Sequence, residues 1–286
     1  MPAKPPEPWF RSNIQVTVGS DLRENLLSVE ARIRAACARA GRDPAEVRLV
    51  WVSKNHPQER LVEALALGAR YFGENRVQEV LEKFPLPGSA PPPGNAAVTV
   101  SQGNTSVTMG KGDAQAYELH FIGRLQKNKI RKVLPLASAF HSIDSLELLE
   151  AVDRIAGELG VRREVFLQVN TSREPAKGGF EPESLPAALS SLPPVPNLRI
   201  IGMMTMGPIE TPDGVPARPE DARRCFRELR SLLQAHRTAT GPLKDMAWLS
   251  MGMTGDFEIA IEEGAHFIRV GTGLFGSRPG SHPAST

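Results

Sequence analysis

Eight short apolar runs, each followed by an amphipathic segment, constrain this chain more than any other feature of its 286 residues. The runs are Arg48–Ser53, Arg70–Gly73, Leu119–Ile122, Ala139–Ile143, Glu164–Val169, Arg199–Met204, Met246–Met251 and His266–Val270, rich in β-branched and aromatic residues. They read as nearly continuous apolar strands rather than alternating ones, the pattern of a parallel sheet buried on both faces. Glu59–Leu67, Ser145–Leu159 and Pro219–His236 carry apolar residues three and four apart and read as helices. A further helix, Leu22–Ala40, precedes the first strand. Eight β-then-α units in about 240 residues predict an α/β chain folded as a single (β/α)8 barrel, with an open doubly wound sheet as the rival.

Two segments stand outside this rhythm. Residues 1–20 are proline-rich and read as a disordered lead-in, without the apolar stretch of a signal peptide. Residues 85–116, with Pro91-Pro92-Pro93-Gly94 followed by a Gly/Ser/Thr/Asn/Gln stretch, read as a flexible insertion because they offer little apolar surface to bury. The domain is thus expected over 21–280, interrupted at 85–116.

Bulk properties narrow the function. Thirty-four Lys and Arg against 32 Asp and Glu leave a formal charge of +2, so no nucleic acid or anionic membrane is called for. Cys37 and Cys225 fall far apart in predicted helices, which argues against a disulfide framework and for a reducing compartment. No apolar run approaches the roughly 20 residues that span a bilayer, so a soluble cytoplasmic protein is expected.

In such a barrel the active groups come from the C-terminal ends of the strands, and a phosphate commonly sits at the loops after strands seven and eight. There Ser250 and Thr272 offer hydroxyls, and Gly252, Gly271 and Gly273 let backbone N–H groups approach an anion. The same glycines also suit tight turns. Lys54 ends the first strand, where a lysine is costly unless it points into the barrel mouth. A lysine partly desolvated there is a nucleophile toward aldehydes. Facing a phosphate site across the mouth, it suggests an aldehyde-bearing phosphate ester, of which pyridoxal 5′-phosphate (PLP) is one. A solvated or salt-bridged lysine is the competing reading. His120 and His141 are expected to be core groups, and Met203, Met204, Met206, Met251 and Met253 barrel packing. Arg124, Lys127, Lys129, Arg131 and Lys132 read as a solvated helix face. No metal-ligand pattern is present.

Eight stretches, in order, resemble the pyridoxal phosphate homeostasis protein family, relatives of the alanine racemase N-terminal barrel: Leu49–Pro57, Phe72–Glu79, His120–Lys129, His141–Leu146, Leu167–Ser172, Ile201–Met206, Leu249–Met253 and Arg269–Gly276. The resemblance implies a fold-type III PLP site with a Schiff base at Lys54. It implies phosphate contacts from Ser250, Gly271 and Thr272, with Met251, Gly252 and Gly273 nearby. It sets Arg269 at the pyridine nitrogen, Asn75 near the ring, and Met204 and His120 close to the cofactor. The chain departs from the family pattern at Asn55-His56, at Arg124, and in the loop Ser172–Gly179.

A permanently cationic partner disfavours protonation of the pyridine nitrogen and weakens the ring as an electron sink. A racemase of this fold would need a second acid/base on the opposite face of the ring, and neither a second domain nor a substitute base is expected in the ten or so residues after Gly276. The expectation is therefore a PLP carrier acting in cofactor homeostasis, not an enzyme. It would be a monomer or weak homodimer, with PLP-dependent apo-enzymes as possible recipients. A racemase or lyase with weak activity, and a phosphate-ester enzyme using Lys54 without PLP, are the alternatives.

Overall fold

The computed structural model describes residues 19–84, 98–102, 105–109, 117–211, 214–238 and 240–276. Eight parallel strands close into a barrel: β1 (Arg48–Val52), β2 (Tyr71–Glu74), β3 (Glu118–Phe121), β4 (Ala139–Ile143), β5 (Arg163–Gln168), β6 (Leu198–Met204), β7 (Trp248–Met253) and β8 (Phe267–Val270). Each strand pairs with its chain neighbours in this series, and β8 closes against β1 with Arg48 opposite Phe267 and Val50 opposite Arg269. The predicted barrel is thus the observed one, and the open sheet is excluded.

Helices α1 (Ser20–Ala40), α2 (Gln58–Ala66), α3 (Val77–Lys83), α4 (Ile130–Val133), α5 (Leu146–Glu158), α6 (Leu185–Ser190), α7 (Pro219–His236), α8 (Phe257–Glu262) and α9 (Thr272–Phe275) accompany the strands. Their limits follow local chemistry. Ser145 caps α5 by accepting from Leu148 N at 3.2 Å. Pro219 opens α7, whose Asp221 carboxylate accepts from the Arg218 N–H at 3.0 Å. Gly41 ends α1 in the left-handed region at φ 63°. Leu22, Val29, Ile33, Ala36 and Cys37 form the buried stripe of α1, which packs against α8 and α9.

The core has two parts. Outward-facing strand residues meet the helices in a large apolar shell. Inside the barrel, Val50, Phe166, Ile201, Met204 and Phe267, with Tyr71 and Trp248, make an aromatic floor. Alternation along β8 carries the chain from that floor upward: Phe267 belongs to it, Arg269 lies two residues above, and Gly271 reaches the mouth.

Several expectations are corrected. β7 runs to Met253 rather than Met251, because Met246 is still in the preceding turn. Ser250 therefore lies mid-strand, two residues further from the loop than the expected strand end at Met251 placed it. The helix α1 extends back to Ser20, while residues 1–18 of the expected lead-in lie outside the described residues. Within the expected flexible insertion, Val98–Gln102 and Thr105–Met109 pair as an antiparallel hairpin. Alternating Val and Thr on both sides of Gly103-Asn104 favours that pairing, a signal outweighed in the sequence reading by the surrounding glycine and proline. The rest of 85–116 lies outside the described residues. Cys37 and Cys225 are buried free thiols. No described helix is long and apolar enough to cross a membrane.

Candidate functional site

A cavity of about 480 Å³ opens at the C-terminal end of the barrel. Lys54, Asn75, Arg269, Gly271 and Thr272 line it, so five of the predicted site residues converge on one space. Its volume falls in the range of small-molecule sites.

Lys54 follows β1 and is half-buried. Its neighbour Asn55 adopts φ 62°, a left-handed conformation that asparagine tolerates better than most residues. The Asn55 N–H donates to Glu79 Oε2 at 2.6 Å, which fixes the turn that presents the lysine. Behind it, Lys83 donates to Ser53 O at 2.9 Å, to Glu74 Oε1 at 2.9 Å and to Glu79 Oε2 at 2.6 Å. Because β1 and β8 are barrel neighbours, Lys54 stands beside the glycine segment of β8. The sequence reading, which set it across the mouth, is corrected here.

Arg269 is 5% exposed, and its guanidinium enters the cavity wall from below. Nη1 donates to Ser250 Oγ at 2.7 Å and Nη2 to Thr205 O at 2.9 Å. Burial lowers its pKa to about 10, against the opposing attraction of Asp256. It remains a cation near neutral pH. Burial in turn raises the Asp256 carboxyl, which accepts from Met253 N at 2.6 Å.

Thr272 opens α9 at the rim, and the Gly273 N–H donates to Thr254 Oγ1 at 3.4 Å. Thr254 and Gly255 also line the cavity. They, rather than Ser250, supply the polar groups after β7 at the cavity, because the strand runs on to Met253. Gly252 has another role: at φ 92°, a Cβ there would lie 2.6 Å from Ala260 Cβ, so it lets β7 pack on α8. Met251 is buried behind the cavity. Met204 sits in the aromatic floor, and His120 and Ser250 lie beneath the cavity rather than on its wall.

Met206 and Met253, expected as barrel packing, stand on the wall instead, beside Gln168, Asp144 and Lys177, to which the sequence gave no role. Lys177 comes from the long loop after β5, held by Glu174 Oε1 at 2.9 Å and Gly207 O at 2.7 Å. It is an ionisable group on the wall that the sequence reading did not anticipate. Asn75 is crowded from behind, since a Cβ on Gly123 would lie 2.1 Å from its carbonyl oxygen. Its side-chain Oδ1 is buried and has no hydrogen-bond partner among the described residues.

These residues fit a flat, anionic, aldehyde-bearing ligand. An orphaned acceptor at Asn75 and an incompletely paired guanidinium at Arg269 both await a polar partner. Hydroxyls and backbone N–H groups at Thr254–Gly255 and Gly271–Thr272 suit a phosphate. Lys54 suits the aldehyde.

A family model for the N-terminal domain of alanine racemase matches residues 25–279. A pyridoxal phosphate homeostasis protein of Pseudomonas aeruginosa is 38% identical over 268 residues, covering 93% of this chain and 100% of that one. One from Aquifex aeolicus is 36% identical over 258 residues, covering 89% and 97%. Among solved structures, PipY of Synechococcus elongatus with PLP bound has a TM-score of 0.66 at 32% identity, covering 89% of this chain and all of that one. An alanine racemase of Clostridium difficile shares the fold at a TM-score of 0.56 and 14% identity, with 91% of this chain matching 56% of that one.

Proposed function

Since the chain belongs to the alanine racemase N-terminal-domain family and, within it, to the pyridoxal phosphate homeostasis proteins, we propose that it holds PLP in the barrel mouth as a Schiff base on Lys54. Its role in this reading is to bind and hand on the cofactor in the cytoplasm, with PLP-dependent apo-enzymes as recipients. The observation that carries it is the convergence of Lys54, Asn75, Arg269, Gly271 and Thr272 on one cavity.

The bound group supplies an aldehyde, which condenses with an amine with loss of water. Lys54 provides that amine. Thr254, Gly271 and Thr272 take the phosphate end, with Gly273 ordering Thr254 from behind. Arg269 would face the ring nitrogen. Because it is already cationic, it disfavours a second positive charge there, and the ring stays a poor electron sink. That property favours storage over turnover.

A second reading, weak racemase or lyase activity, draws on one observation: Lys177 on the wall gives a second ionisable group besides Lys54. Its tie to the Glu174 carboxylate argues against a free base. Steady-state assays with alanine and serine enantiomers decide: the carrier reading predicts no turnover above that of free PLP. Turnover lost in both Lys54→Ala and Lys177→Met would replace it with the enzyme.

A further inference from the structure

Beneath the cavity, the barrel interior holds a line of polar side chains that a cofactor carrier does not obviously need. Arg269 Nη1 donates to Ser250 Oγ at 2.7 Å. Ser250 Oγ lies 2.8 Å from His141 Nδ1, and His141 Nε2 lies 2.9 Å from His120 Nδ1. His120 Nε2 has no hydrogen-bond partner among the described residues, and Glu118 Oε2 lies 3.8 Å beyond it. Glu118 begins β3 at the opposite face of the barrel, with its side chain 38% exposed. The four inner residues come from four strands and are at most 5% exposed.

The contacts admit one outward direction of donation, from the guanidinium through Ser250 and His141 to His120. A guanidinium only donates, so Ser250 Oγ accepts and its own proton is free for His141 Nδ1. His141 then carries its proton on Nε2 and donates to His120 Nδ1. His120 in turn carries its proton on Nε2, aimed toward Glu118. Burial, the largest cause, drives the His141 pKa well below 6.5, and the Arg269 charge adds to it, so a neutral ring fits this arrangement. Phe166 and Phe267 pack on the His141 ring, with centroids 4.3 and 5.9 Å away, and hold it in place.

The geometry points to Ser250, His141 and His120 as positioning residues for Arg269: a one-way hydrogen-bond chain that orients the guanidinium toward the ring nitrogen of a ligand in the cavity. Ser250 and the Thr205 carbonyl together fix two edges of the guanidinium plane. Three of its five N–H groups remain for the cavity side. The inference rests on the PLP reading for the identity of that ligand, but not for the chain itself.

Two sets of measurements test it. In ligand-free protein, nitrogen NMR is expected to show His141 as the neutral Nε2–H tautomer, with the Arg269 N–H groups protected from exchange. Ser250→Ala and His141→Phe should lose that protection, and His141→Gln, which can both accept and donate, should restore it. In PLP-loaded protein, the variants should keep the borohydride-trapped adduct on Lys54 while their visible band shifts. Cofactor release should speed up about tenfold, as for one lost hydrogen bond to a charged group. Ser250→Ala removes one oxygen only and serves if His141→Phe fails to fold. A proton on His141 Nδ1, or folded variants with wild-type exchange, band and release, would overturn the proposal. Absence of any adduct in wild type would sink the PLP reading alone, and the ligand-free exchange data would still decide the chain.

Discussion

Two buried cations flank the cavity, and they are treated in opposite ways. Lys83 meets two carboxylates and a carbonyl, with Glu74 and Glu79 both within 2.9 Å. Arg269 meets only neutral acceptors, a hydroxyl and a carbonyl, and leaves donors toward the cavity. A charge matched on all sides has no capacity left for a ligand, so Lys83 holds the Lys54 turn in place. A buried charge matched only in part is costly unless something else completes it, which is why the PLP reading sets Arg269 against the ligand.

The sharpest way to break this comparison is to remove each cation. Lys83→Met strands Glu74 and Glu79 and should cost about 3–5 kcal/mol of stability in urea denaturation, the usual penalty for orphaning a buried charge. Arg269→Met removes a charge without stranding a carboxylate partner and should cost at most about 2 kcal/mol, chiefly for the unpaired Thr205 carbonyl. Its effect should fall on PLP instead, with retention in dialysis reduced about a hundredfold, as when a buried charged contact is lost. Equal stability losses would dissolve the distinction.

A finer test separates the rim from the layer beneath it. Thr254→Ala and Thr272→Ala should weaken PLP about tenfold, as loss of a charge-assisted hydrogen bond does, while leaving pyridoxal, which lacks the phosphate, unaffected. Ser250→Ala should weaken both ligands alike, because it acts through Arg269. If Ser250→Ala were selective for the phosphate, the sequence-based placement of that serine in the cradle would be restored.

How much of this was legible from residues follows from geometry. The barrel was, because eight buried strands leave continuous apolar runs and the helices an amphipathic period. Lys54, Gly271 and Thr272 were, because they sit where strands end. Thr254 was not, because the end of β7 depends on the turn before it at Met246, which the apolar pattern does not mark. The polar chain was hidden altogether: His120, His141, Ser250 and Arg269 lie more than twenty residues apart between one strand and another, except for the pair on β7 and β8, and only closure of the barrel brings them together. Lys83 was not singled out either, because only the packing of α3 brings it to Ser53 and Glu74.

The buried histidines predict a pH response. Burial depresses His141 well below 6.5 and His266 to about 4. Both are therefore neutral in the fold when the unfolded chain would take up protons. Their contribution to stability is complete above pH 6.5 and is lost as pH falls toward about 4. The urea midpoint should drop across that window, and less steeply in His266→Phe. The smallest effect belongs to exposed charge: Arg124, 83% exposed and 3.9 Å from Asp144, should change stability by under about 0.5 kcal/mol when replaced by alanine.

The most direct test of the central claim is to load the protein with PLP, reduce it with borohydride and map the modified peptide by mass spectrometry. The account predicts a yellow protein before reduction and one pyridoxyl group on Lys54 after it. A protein that stays colourless and unmodified, or one that carries the adduct at full stoichiometry on a different lysine, would contradict it.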